Sequence, residues 1–125
     1  MTREQIANRL QERFDAVCET KEAQDLLTDN PLEQYFLLEL AEGGTMTIVM
    51  EPHTAGISVK PEAVSTEAEF QTTRIELTEE ILQALIDGAY LSTNYLDGAI
   101  TVRGLQPAWL RLGRLFGINH ELQAQ

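Results

Sequence analysis

The 125 residues, 43% apolar and 23% charged, are enough for one domain with its own core and too apolar for a disordered chain. One cysteine excludes an intrachain disulfide, and no run approaches the 18 apolar residues of a membrane span. A net charge of −11 repels phosphate backbones and removes nucleic acid from the expected partners.

The opening "MTREQIANRL" carries charges and no apolar run of signal length, so the expected location is the cytoplasm. We expect a single domain over residues 1–125. An N-terminal amphipathic helix takes residues 1–28, and a sheet with helices takes residues 33–117. Thr2 is the N-cap of that first helix, which the pattern carries to about Leu27. Ile6, Leu10, Phe14, Val17 and Cys18 recur at three- and four-residue spacing and form its apolar stripe. Cys18 reads as a buried structural thiol, since no histidine is near it in sequence. Asn30 before Pro31 breaks the helix.

Strand patterns follow. "QYFLLELA" has apolar residues on both faces and predicts a strand covered on both sides. "EGGT" predicts a hairpin turn, "TMTIVME" a half-buried strand, "PHTAG" another turn, and "ISVK" a short strand with Ile57 and Val59 inward. After the polar loop "PEAVSTE", Ala68 to Leu77 predicts a fourth strand, with Phe70 and Thr72 opposite Thr73 and Ile75. Thr78 caps a helix whose first turn holds Glu79 and Glu80, where the dipole favours acids. Its inner face is Ile81, Leu82, Leu85 and Ile86, and Gly88 stops it. A short helix capped by Ser92 carries Tyr95 and Leu96 and stops at Gly98. "AITVR" is the fifth strand, and a final helix starts at Pro107. Strands in runs followed by helices predict an α+β fold: a five-stranded, mostly antiparallel sheet with helices packed on one face.

Residues that could carry chemistry do not cluster in the sequence. No glycine-rich phosphate loop is present, "HE" at His120–Glu121 lacks a second histidine, and no cysteine pair exists for zinc. Ser58, Ser65 and Ser92 stand in no nucleophile motif. The expectation is no catalytic residue, no metal and no cofactor. Charge is unevenly distributed: Glu62 to Asp97 holds eight acids and one base, whereas Gly98 to His120 holds Arg103, Arg111 and Arg114 and no acid. These arginines are either solvated flanks of a buried helix or a docking site for anionic lipid or an acidic partner.

The stretch from Tyr35 to Phe116 resembles the sterol carrier protein 2 domain family. The resemblance is carried by "YFLLELAEGGTMTIVME" and "GISVK", by "AEFQTTRIELTEEILQALIDG", and most of all by "LSTNYLDGAITVRGLQPAWLRLGRLFG". One departure lies after Gly104, where Leu105, Gln106 and Pro107 replace the family's polar or acidic helix start. The ending "ELQAQ" is unlike the peroxisomal signal of eukaryotic members, so the expectation is a stand-alone bacterial-type member. The resemblance implies an apolar tunnel between sheet and helices that takes a fatty acid, acyl-CoA, sterol-like or isoprenoid lipid, without catalysis. Some relatives serve instead as accessory domains, including in quinone biosynthesis.

On that footing the final helix roofs the tunnel with Leu105, Ala108, Trp109, Leu112, Leu115 and Phe116. The expected lining from the sheet is Phe36, Leu38, Ile48, Met50, Phe70, Ile100 and Val102, joined by Leu85 and Leu96. Leu110, Arg111 and Arg114 lie at the rim, where arginine meets a headgroup. The competing reading is that the same residues close-pack into a dry core. Two functions follow. One is lipid binding or transfer, with transient membrane or protein contact through the final helix. The other is an interaction module that forms a homodimer or supports a biosynthetic enzyme, with Tyr95 and Leu110 at its interface.

Overall fold

The computed structural model describes residues 1–29, 32–64 and 69–124. The expected break at Asn30–Pro31 and the expected start of the fourth strand at Ala68 lie outside them. The elements run α1 (Arg3–Cys18), α2 (Lys21–Thr28), β1 (Gln34–Leu40), β2 (Thr45–Glu51), β3 (Gly56–Lys60), a 3-10 turn (Glu69–Gln71), β4 (Thr72–Leu77), α3 (Glu79–Ile86), α4 (Leu91–Leu96), β5 (Thr101–Arg103) and α5 (Gln106–Gln123).

The N-terminal stretch is two helices rather than one. Thr20 divides it: its hydroxyl donates to the Val17 carbonyl (2.7 Å) and accepts from the Ala23 N–H (3.2 Å), closing one helix and opening the next. Thr2 caps α1 as expected, with a reciprocal bond from its own N–H to Gln5.

The five strands form one sheet in the order β3-β2-β1-β4-β5. Three of the four pairings are antiparallel; β1 and β4 run parallel. The register lines up apolar residues in rows on one face. Val59, Ile48, Phe36 and Thr73 form one row, and Met46, Leu38, Ile75 and Val102 another. The helices cover this face, and one continuous core joins Ile6, Leu10 and Phe14 of α1 to Leu82 and Leu85 of α3 and to Leu112, Leu115 and Phe116 of α5. On the opposite face Leu37 and Val49 are also buried, each at 6% exposure. Residues 61–64 cross there, held by Thr47, whose hydroxyl donates to the Glu62 carbonyl (2.9 Å) and accepts from the Val64 N–H (3.1 Å).

The fourth strand differs from its expected course. Phe70 lies in the 3-10 turn before β4, and the strand's inward residues are Thr73, Ile75 and Leu77, the opposite parity from that expected. Thr78 caps α3 as expected. Ser92 caps nothing: α4 starts one residue earlier, with Tyr90 at its N-cap and no side-chain bond there. The departure after Gly104 resolves simply. Leu105 is the uncapped N-cap of α5, Gln106 begins the helix, and Pro107 sits in its first turn, where the missing N–H costs little.

Candidate functional site: the groove between α4 and α5

Helix α5 carries two stripes. Ala108, Leu112, Leu115, Phe116 and Asn119 face the core and are buried. Trp109, Leu110, Gly113, Arg114 and Gly117 form a second stripe, turned toward α4. Because two of these five are glycines, the second stripe cannot fill the space beside it. A groove of about 320 Å³ remains, walled by Tyr90 and Ser92 on the other side. A larger depression of about 550 Å³ beside Met1, Gln5, Asn8 and Arg9 is bounded by α1 and its leading residue alone, which cannot enclose a ligand.

Exposed apolar side chains stand on α4, α5 and their N-caps. Leu96 is 81% exposed, Leu105 56%, Leu110 52%, and Tyr90 and Tyr95 are both 41%. The Tyr95 ring lies against Trp109, centroids 4.7 Å apart. Trp109 lines the groove on one side and packs against the core on the other. The Tyr90 ring is backed by His120 at 4.2 Å, and His120 Nδ1 donates to the Gly88 carbonyl (2.7 Å), which fixes both rings.

Among the described residues Arg114 is the one charged side chain lining the groove. Its Nε and Nη2 grip the carboxylate of Glu22 on α2, and Nη2 also donates to Glu121 at 3.1 Å. The bond from Arg114 holds the Glu22 carboxyl below its ordinary range, and the two carboxylates push the guanidinium further up. Elsewhere, burial and the nearby Asp15 charge raise the half-buried Cys18 thiol, although a bond with the Ile57 backbone opposes them.

Of the expected tunnel residues, Phe36, Leu38, Ile48, Met50, Leu85, Ile100, Leu112 and Phe116 come together in the core, each at most 3% exposed. Val102 and Trp109 pack against them. Three expectations are corrected. Phe70 is 59% exposed because it sits in the 3-10 turn outside the sheet, and Leu96 points from the end of α4 into solvent. Leu105, expected in the roof, is likewise exposed as the N-cap of α5. At the expected rim, Leu110 and Arg114 line the groove; half-buried Arg111 does not, and it has no ion pair among the described residues. Tyr90, Gly113 and Gly117 were not expected there. The spacing G-x-x-x-G on one helix face is the sequence feature that marks the two glycines.

Among the described residues no group of three or more histidine, cysteine or acidic side chains could hold a metal ion. No helix of those residues is long and apolar enough to cross a membrane.

No family model and no curated protein matches the sequence. Solved structures do match the fold. "UbiJ-SCP2 Ubiquinone synthesis protein" has a TM-score of 0.64 at 13% identity, covering 94% of this chain and 93% of its own. Sterol carrier protein 2 from Yarrowia lipolytica, in its apo form, has a TM-score of 0.55 at 16% identity, covering 96% and 91%. Palmitated SCP2L2 from Aedes aegypti has a TM-score of 0.55 at 14% identity, covering 93% and 95%. The five-stranded sheet under its helices is therefore the sterol carrier protein 2 fold.

Proposed function

We propose that this protein binds the hydrocarbon part of a lipid, acyl, sterol-like or isoprenoid, and catalyses no reaction. The tail enters by the groove between α4 and α5 and runs past Trp109 toward the core residues expected to line a tunnel. The observation that carries this reading is the groove itself: an apolar concavity, lined by exposed Tyr90 and Leu110, that meets the core at Trp109. A volume of about 320 Å³ is at the small end for ligand pockets, so the groove takes part of a lipid and the rest needs the interior to yield. Met46 and Met50 on the inner sheet face suit that, because methionine repacks around varied shapes. Each methylene withdrawn from water contributes about 0.8 kcal/mol. The likeness to a palmitated protein of this fold supports the same reading.

Trp109 is the single tryptophan of the chain and reports directly. Added lipid should shift its emission to the blue, saturating at one equivalent, and native mass spectrometry should show one bound lipid. Lipid should also protect the protein against heat, and Trp109→Ala should lose that protection. A clean apo mass with no change in emission or stability on adding either a fatty acid or its methyl ester would refute the proposal.

A second reading is favoured by the exposed apolar side chains of α4 and α5, Leu96 at 81% and Leu110 at 52%, and by the likeness to a protein titled for ubiquinone synthesis. In it the α4–α5 surface supports a biosynthetic enzyme or a second copy of this chain. Leu96→Glu should then abolish association while leaving lipid uptake intact.

A further inference from the structure

We infer that the groove takes a lipid whose polar end is uncharged and accepts hydrogen bonds, such as an ester, ketone, ether or hydroxyl, and that it discriminates against the same tail carrying a carboxylate or phosphate. This rests on the lipid-binding reading of the groove and names the class of ligand.

Arg114 is the only charged side chain lining the groove among the described residues, yet its cation is already committed to Glu22 and Glu121. One positive and two negative charges leave the trio at −1; Arg111, one turn back on α5, does not line the groove, so an anion entering it meets the net repulsion of the trio. Within a few ångströms, at the effective permittivity of a protein surface, that is worth about a tenfold loss in affinity. Arg114 therefore does not act as the anion-binding rim group expected from sequence.

The guanidinium still has something to offer. Nε and Nη2 are occupied, but Nη1 has no acceptor among the described residues. It lies over Gly117 on the groove floor: a Cβ built on Gly117 would stand 3.1 Å from it. A donor without an acceptor, laid along an apolar groove, suits a neutral carbonyl, ether or hydroxyl. Such a group gains a charge-assisted hydrogen bond and adds no negative charge to the trio. The chain's total of −11 acts in the same direction.

The test compares methyl decanoate with decanoate at neutral pH, read by Trp109 emission, in the unmodified protein and in the double variant Glu22→Gln, Glu121→Gln. The ester should bind at least about tenfold more tightly than the acid in the unmodified protein. In the double variant decanoate should gain about tenfold while the ester stays within about twofold, closing the gap. Equal binding in the unmodified protein, or a gap that survives in the double variant, overturns the inference and leaves the lipid-binding groove standing. If neither probe binds, the groove reading itself fails, and the inference with it.

Discussion

The Phe14 ring of α1 rests on the Phe116 ring of α5, centroids 5.3 Å apart and tilted by 54°. The contact joins the N-terminal helix to the last one directly above the sheet. Both rings are almost fully buried. Phe14→Ala should lower the unfolding free energy by about 3–5 kcal/mol, the usual result of emptying a buried aromatic site. Urea denaturation followed by Trp109 emission measures it. A loss below about 1 kcal/mol would mean that α1 is only loosely applied to the sheet.

Gln11 completes the outer edge of the sheet. Its amide donates to the Ile57 carbonyl (2.8 Å) and accepts from the Val59 N–H (2.7 Å), taking the two groups a sixth strand would use. Gln11→Ala should cost about 1–3 kcal/mol, since both partners lie part-buried. It should also open β3 to pairing with other chains. Light scattering on concentrated protein should rise in the variant. An unchanged stability and unchanged scattering would show that water replaces the amide without loss.

Two glycines should respond to alanine in opposite directions. At Gly104 a Cβ would stand 2.7 Å from Thr73 Oγ1 and 2.9 Å from Thr73 Cα, so β4 and the chain after β5 must separate. Gly104→Ala should destabilise by about 1–3 kcal/mol. At Gly113 the Cβ would meet only Leu91 Cδ2, at an ordinary 3.9 Å, inside a helix. Gly113→Ala should stabilise by about 0.5–1 kcal/mol. Gly113→Leu would extend into the groove and should abolish the lipid response of Trp109. Thermal melts of the variants check the signs.

Much of this architecture was legible in the residues. The alternation in Phe36, Leu38, Leu40 and in Met46, Ile48, Met50 fixed the inward face of β1 and β2, because side-chain period is a local property of a strand. The stripe Ala108, Leu112, Leu115, Phe116 likewise marked the inner face of α5. Phe70 and Leu96 misled because each is an apolar residue in a one- or two-turn element, too short for periodicity to say which way it points. The break at Thr20 went unread because the apolar pattern continues through it, while a single hydroxyl redirects the chain. The parallel pairing of β1 with β4 lies across a long connection that no local pattern encodes. The groove is hardest to foresee: it is made by side chains that Gly113 and Gly117 lack, and its charge is set by Glu22, 92 residues away from Arg114.

That distant pair makes stability depend on pH with a definite sign. The hydrogen bond from Arg114 lowers the Glu22 carboxyl from its ordinary value of 4.5, so the folded chain holds that proton less tightly than the unfolded chain does. The stabilisation is complete above the ordinary carboxylate range. It fades as the pH falls through the lowered folded value, where the carboxyl becomes neutral in both states. Both side chains are largely exposed, 40% for Arg114 and 49% for Glu22, so the effect is modest and salt should shrink it further. The melting temperature of the protein should exceed that of Glu22→Gln at neutral pH, and the difference should close in acid, because a protonated Glu22 and a glutamine are alike in charge. A difference that stays constant from neutral pH into acid would mean that the pair tethers α2 to α5 by shape and hydrogen bonding alone, with its charge contributing nothing measurable.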